Sequence, residues 1–328
     1  MKTLVKWLTV TDERLSGSNK FQKTKNQTIK LLLALIRSVV LFGMAFVLLY
    51  PLLYMISMTF RPVDQMLDPM VIWVPKSFTL DNIKEVVAAL ELSESLKVTL
   101  FIGVISAVMN VASCSIAGYG FARFNFRFKK ILFGIVILSI IIPPQFLMIP
   151  QYIQFRYFDF FFLGQLAVPF TGEPFVNSIL DTPFSLYLPA AFSYGIRSGL
   201  LIYIFRQFFR GLPKELEDAA HIDGCGPIRC FLRVMIPNAG ASYLTSFLFS
   251  FVWYWNDYFY ANTFIPSLRP LALRLTNLAQ ALGNQYATFS IAPLMQAGAF
   301  VVILPPLVVY LVFQRYFTES IERTGIVG

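Results

Sequence analysis

Five stretches of the chain carry no charged residue over a length that can cross a bilayer: residues 38–60, 98–122, 131–155, 234–256 and 287–314. A membrane helix needs about 20 apolar residues, so each predicts a span. A sixth run, 184–205, is interrupted only by Arg197. Pro51, Pro143-Pro144, Pro237 and Pro305-Pro306 lie inside or beside these runs, and membrane helices tolerate such kinks where neighbours satisfy the freed carbonyls. The run 160–171, broken by Gly164 and Pro169, is too short to span and predicts an outer lobe or re-entrant segment. The pattern is that of an all-α, polytopic membrane protein with six transmembrane helices.

The polar positions divide the rest. Residues 1–30 hold seven Lys or Arg and no long apolar run, which predicts a cytoplasmic basic arm, without regular structure around Ser16–Thr28 because of its polar composition. The first run is longer than the apolar region of a secretory signal and is expected to be a membrane helix. The spans occupy residues 31–317 and a short tail follows over 318–328. With both ends inside, the cytoplasmic segments hold 19 of the 27 Lys and Arg residues. The positive-inside rule therefore places both termini in the cytoplasm. It also accounts for the net charge of +9 without nucleic acid. Composition agrees, since 56% of the residues are hydrophobic and 14% charged, where a soluble domain carries about a quarter charged.

Catalytic chemistry is sparse. No G-x-x-x-x-G-K-[ST] run is present to cradle nucleotide phosphates. Cys114, Cys225 and Cys230 lie in a span or on the cytoplasmic side, where disulfides are rare. Cys225, Cys230 and His221 lack a fourth ligand, so no metal site is expected. His221 is the one histidine, leaving no histidine base in the spans. Intramembrane carboxylates, which proton-coupled transport needs, are nearly missing. Arg197 either faces a cavity or partner, or snorkels to water from the outer end of its helix. In FVWYWNDYFY, Trp253 and Tyr254 fit an interfacial aromatic belt. Tyr254 and Tyr258 fall at i and i+4, predicting a shared helix face.

The polar island at 212–238, LPKELEDAAHIDGCGPIRCFLRVMIPN, separates the fourth and fifth runs. Pro213 suits a first helical turn. Leu216, Ala219 and Ala220 then form a narrow stripe of mostly small residues that a second protein could approach closely. Gly224 stands where a helix ends in a left-handed turn, and Gly226-Pro227 opens another helix leading into the apolar segment. By its residues alone the island is either a connecting loop or a docking element.

A resemblance favours docking. Asp218-Ala219-Ala220, three residues, Gly224, nine residues and Val234-Met235-Ile236-Pro237 resembles the EAA loop of ABC importer permeases, with Asp for Glu, Val for Ile and Ile for Leu. The resemblance implies a coupling loop over 212–233 that sits in a groove of a partner ATPase, with Glu217, Asp218, Ala219, Ala220, Asp223, Gly224 and Pro237 as its residues. It extends from about residue 35 onward. Trp73, Pro75, Phe78, Thr79 and Asn82 resemble the outer loop of carbohydrate importer permeases. Trp255-Asn256-Asp257-Tyr258 resembles their Trp-Asn-acid-aromatic motif. Gln314-Arg315-Tyr316-Phe317 and the residues from Gly325 to Gly328 resemble the maltose-type tail, with Val327 where Lys is usual.

What the resemblance implies is a non-enzymatic permease subunit in a bacterial or archaeal plasma membrane. Its partners would be membrane lipid, an ATPase dimer binding ATP and Mg, a second homologous permease and an extracytoplasmic solute-binding protein. The substrate would be a carbohydrate, an oligosaccharide. The chain itself would carry no cofactor. Arg197, Tyr254, Asn256, Asp257 and Tyr258 are the candidates for a translocation path or for the permease–permease interface. The rival readings are a membrane enzyme acting on lipid-linked sugar through Arg197, Asp257 and Asp181, and a self-contained secondary transporter.

Overall fold

A computed structural model describes residues 2–325 apart from 66–67, 69–70, 72, 160–163, 165–167, 172–175 and 284–287. The first apolar run lies in α1 (Lys2–Thr59), whose stretch Ile29–Thr59 is long and apolar enough to span a membrane. The basic arm continues this helix, so the irregular structure expected around Ser16–Thr28 is replaced by helical backbone. Lys and Gln are good helix formers, and an existing helix extends at little nucleation cost. The short tail likewise continues the last helix as far as Gly325. Residues 326–328 and most of the apolar run 160–171 lie outside the described residues.

The outer-loop residues fix the end of α1. Trp73 packs edge-on to Tyr50, with ring centroids 4.8 Å apart. The buried Asn82 side chain, in α2 (Asp81–Ala89), donates to the Thr59 and Arg61 carbonyls at 3.0 and 2.9 Å. Those are carbonyls that a helix end leaves unpaired. Thr79 Oγ1 donates to Asp81 Oδ2 at 2.7 Å. That bond, with Lys84 beside it, holds the Asp81 carboxyl below its ordinary pKa.

The core is built on α3 (Leu92–Arg123). Against it pack α7 (Phe184–Ala191), α8 (Ser198–Gly211) and α12 (Gly240–Trp255). The approach to α8 is close at Gly118, where a Cβ would stand 2.6 Å from Phe205 Cβ. At the centre lies Asn110, fully buried. Its Nδ2 donates to the Ile196 carbonyl at 3.1 Å, and its Oδ1 accepts from Ser198 Oγ at 2.6 Å.

Two predicted single spans are broken. Residues 131–155 form α4 (Lys129–Ile141) and α5 (Gln145–Arg156), bent by 105°. Pro143 and Pro144 supply no N–H to continue the ladder, and Ile142 before them is extended (φ −70°, ψ 123°), as a residue preceding proline prefers. Residues 184–205 are α7 and α8, separated at 192–197, with Arg197 in the left-handed region (φ 54°). The island and fifth run read α9 (Glu215–Ile222), α10 (Pro227–Cys230), a π-helical turn Phe231–Met235, α11 (Ile236–Asn238) and α12. Pro237 removes one helical donor, and beside it Asn238 Nδ2 donates to the Val234 carbonyl at 2.7 Å.

The remaining short helices lie outside the long runs. They are α6 (Val168–Thr171), α13 (Phe259–Phe264), α14 (Leu271–Thr276) and α15 (Leu278–Leu282). The last apolar run becomes α16 (Thr288–Gly325), which continues through Pro293, Pro305 and Pro306. Phe158 and Asn177 form an antiparallel bridge, closing the neck of the segment between α5 and α7. Among the described residues, three helices are long and apolar enough to cross a membrane, or four if the α4–α5 pair counts as one span. The third, fourth and fifth predicted spans are thus assemblies of shorter helices.

Removing the central amide tests this core. Asn110→Ala should destabilise the protein by about 2 kcal/mol or more, because buried partners lose their hydrogen bonds. Thermal unfolding of the detergent-purified protein reads it, and an unchanged midpoint would refute Asn110 as a structural hub.

Candidate functional site

The polar island presents two faces. Three acidic residues, Glu215, Glu217 and Asp218, occupy the first turn of α9, where negative charge complements the helix dipole. Inward, Glu217 Oε2 lies 3.2 Å from Arg123 Nε, and both side chains are largely buried. Tyr119 Oη donates to Glu217 Oε1 at 2.9 Å, and Arg123 Nη2 donates to the Leu212 carbonyl at 2.7 Å. Ala220 is buried in the cluster formed by Tyr119, Phe209 and Phe231. The predicted stripe is therefore divided. Ala219 is exposed, Leu216 half-buried, and Ala220 packs against the chain's own core rather than facing out.

The outward face comprises Asp218, Ala219, Ile222, Asp223, Gly224 and Ile228. Ile222 and Ile228 are 86% and 77% exposed. Sequence reading missed both; the available signal was an apolar residue off the stripe in an otherwise polar segment. Gly224 has the expected left-handed backbone (φ +78°). The turn closes with Cys225 N–H donating to the Ala220 carbonyl at 2.9 Å. His221 Nδ1 also lies 2.9 Å from the Cys225 carbonyl, which fixes Nδ1 as the donor. Pro237 is exposed beyond the π-helical turn.

The other candidates do not form one surface. α12 stops at Trp255, and Asn256 leaves helical geometry (φ −91°, ψ 3°). Tyr258 thus lies past the break, and the face predicted for Tyr254 and Tyr258 is not formed. Tyr254 is buried, its Oη accepting from Ile196 N–H at 3.1 Å. Trp255 is buried and donates through Nε1 to the Val302 carbonyl of α16 at 3.1 Å. Asn256 bonds back to the Val252 carbonyl. Asp257 Oδ2 accepts from Ala261 N–H at 2.9 Å, so it caps α13. Tyr258 packs on Phe259 with ring centroids 5.6 Å apart.

Arg197 alone of these lines a cavity of about 350 Å³, set between the α4–α5 bend and the α7–α8 break. Its guanidinium stands 5.2 Å from the centre of the Trp253 ring, an attractive cation–π distance. Ser139, Gln151, Tyr194, Ser198 and Tyr260 also line the cavity. Gln151 is 5% exposed and its Oε1 has no hydrogen-bond partner. Gly199 lets α8 approach α4, since a Cβ there would meet Ser139 Oγ at 2.5 Å. Such irregular backbone is tolerated in a membrane where it lines a cavity.

The comparisons with known proteins agree with this architecture. Residues 110–323 match the family described as binding-protein-dependent transport system inner membrane component. An arabinooligosaccharides transport system permease protein of Halalkalibacterium halodurans is 27% identical, over 87% of this chain and 93% of its own. A lactose transport system permease protein of Rhizobium radiobacter is 26% identical over 84% and 90%. A trehalose transport system permease protein of Mycobacterium tuberculosis is 27% identical over 85% and 93%. The fold is similar to that of a chain in the crystal structure of a bacterial ABC transporter involved in the import of the acidic polysaccharide alginate. That match has a TM-score of 0.67 and 21% identity, covering 87% of this chain and 96% of the other. With the family match spanning well over half the chain, this protein belongs to the inner membrane components of binding-protein-dependent transport systems.

Proposed function

We propose that the chain is a permease subunit of an ATP-driven importer that carries an oligosaccharide across the plasma membrane by alternating access. Its relatives' named cargoes, arabinooligosaccharides, lactose and trehalose, support the substrate class. The observation that carries the coupling role is the two-sided island. Glu217 and Ala220 lock α9 to the chain's own core, while Ile222 and Ile228 stand exposed beside Asp218 and Asp223. Apolar side chains this exposed favour burial by a partner. A cytoplasmic ATPase dimer, which binds ATP and Mg, is that partner in our reading, and both termini share its side of the membrane. A second permease and an extracytoplasmic binding protein complete the complex.

The lipid-linked-sugar enzyme gains no support from the geometry of its proposed residues. Asp257 caps α13, Asp181 Oδ1 accepts from Ser267 N–H, and Arg197 stacks on Trp253. Each already serves the chain's own structure.

Docking makes opposite predictions for the two faces. Ile222→Asp should reduce ATPase co-purification by roughly tenfold or more, as loss of an interface anchor does, with the permease's melting temperature unchanged. Glu217→Ala should instead lower permease stability by about 3 kcal/mol, because Arg123 is left buried and unpaired. Equal effects of the two on stability would refute the division of faces.

Gly224→Val probes the turn itself. No atom lies within 4 Å of an added Cβ there, so the cost is backbone strain, about 1–2 kcal/mol. Transport per assembled complex should fall while Gly224→Asn, which tolerates the left-handed region, retains it. Full transport in the valine variant would remove the turn from the coupling role.

Orientation is read by labelling. In a protein lacking Cys225, a membrane-impermeant thiol reagent applied outside should modify a cysteine at Asp68 but not one at Lys129 or Asp218. Labelling at Asp218 would invert the arrangement and put α9 out of reach of a cytoplasmic ATPase.

A further inference from the structure

The ends of α4 and α8 nearest the island gather positive charge that the chain leaves unmatched. Residues 123–141 and 198–211 contain six Lys or Arg and no carboxylate. Of these, Arg123 is taken by Glu217 of α9. Among the described residues, Arg206 and Arg210 make no ion pair or side-chain hydrogen bond. Lys129 bonds only to a backbone carbonyl, that of Phe124 at 2.7 Å.

The packing of the two helices brings these charges together. Gly199 approaches Ser139, and further along α8 the Arg206 guanidinium lies 3.9 Å from the centre of the Phe133 ring. α8 therefore advances while α4 retreats, and the pair is antiparallel. Lys129 stands one turn before Phe133 and Arg210 one turn after Arg206, each on the same face as its neighbour. Lys129 and Arg210 thus come level just past the Arg206–Phe133 contact. Both guanidiniums repel the Lys129 ammonium, and they repel each other. Like charges held close in this way favour an anion among them. Arg206 Nε is enclosed, so its terminal nitrogens are the donors left for that anion.

The surroundings are those of a bilayer edge. α4 buries none of its residues, and Ile131, Leu132, Ile135 and Leu138 are exposed directly beyond Lys129. Phe128, on the other side of Lys129 in the chain, is exposed as well. Charge-free sequence starts at Ile131 on α4 and stops at Phe205 on α8, so the cations stand where both apolar runs end. A soluble acidic protein could meet the charges but not the apolar surface beside them. A lipid meets both, with its headgroup on the cations and its acyl chains along α4.

We propose that Lys129, Arg206 and Arg210 form a site for the phosphate headgroup of an anionic lipid, in the leaflet on the island's side. Phe133 holds Arg206 in place, so little side-chain freedom is lost on binding. Charge-assisted bonds from both guanidiniums and the ammonium meet the phosphate oxygens, as in other basic pockets between membrane helices. The bound lipid ties the island end of α8 to α4. The inference needs only the chain's place in a membrane; neither the cargo nor the ATPase enters it.

The test titrates the full-length protein, in mild detergent, with dioleoyl-phosphatidylglycerol or dioleoyl-phosphatidylcholine and counts bound lipid by native mass spectrometry. Both lipids carry the phosphate, but only the first has a net charge. The wild type should bind phosphatidylglycerol at least roughly tenfold more tightly, since each cation near a headgroup is worth about fivefold. Lys129→Gln with Arg210→Gln should weaken phosphatidylglycerol about 25-fold and leave phosphatidylcholine unchanged. Adding Arg206→Gln should weaken it further, and Arg206→Lys should keep most of the affinity. Lys214→Gln with Arg229→Gln removes the same charge from exposed positions on the island and should change neither lipid. Equal binding of the two lipids by the wild type, equal losses in the two double variants, or loss of both lipids together would each overturn the site. Displacement of phosphatidylglycerol by millimolar inorganic phosphate would also overturn it, because the cations would then serve a soluble anion.

Discussion

The amide of Asn110 is the point on which the membrane-embedded architecture depends. A bilayer interior offers no water to a backbone that leaves its helix, so every freed N–H and C=O needs a partner within the protein. The chain leaves its helix at 192–197, and α3 with α12 supplies those partners. Asn110 takes the Ile196 carbonyl and the Ser198 hydroxyl. Ser113 bonds to the Ala190 carbonyl and the Ser193 N–H, and Tyr254 accepts from Ile196. A break that would be costly in lipid is thereby made stable, and the cavity exists because of it.

The same elements join the cavity to the cytoplasmic island. α8 begins at Arg197 on the cavity wall and ends at Gly211, immediately before the island. At 14 residues it spans about 21 Å. α3 runs beside it, carrying Asn110 near the break and Tyr119 and Arg123 at the island. Displacement of α9 therefore has two stiff routes toward the cavity, both through packed helices rather than loops. Coupling between distant sites requires elements with discrete alternative arrangements, and two broken helices meeting at one cavity supply them.

Several residues that mark the family pattern serve the fold. Trp73 and Asn82 secure the end of α1, Trp255 ties α12 to α16, and Asp257 starts α13. Asn82, Trp255 and Asp257 each satisfy a backbone group that burial would otherwise strand.

The sequence by itself determined the elements whose signals are local. α1, α3 and α16 follow from uninterrupted hydropathy and the left-handed turn from Gly224, whereas the island's helix begins at Glu215, two residues beyond the Pro213 expected in its first turn. It also carried the family, through the spacing from Asp218 to Pro237. Tertiary structure alone decided direction and partnership. Hydropathy sums composition over a window and is blind to the 105° bend at Pro143-Pro144 or the break before Arg197. Helical spacing carried past Trp255 joined Tyr258 to a face it does not share. Nor could spacing tell that Glu217 and Ala220 turn inward while Ile222 and Ile228 turn out. Which side of a short helix is buried depends on Tyr119 and Arg123, roughly a hundred residues earlier, and that contact exists only once α3 and the island have met.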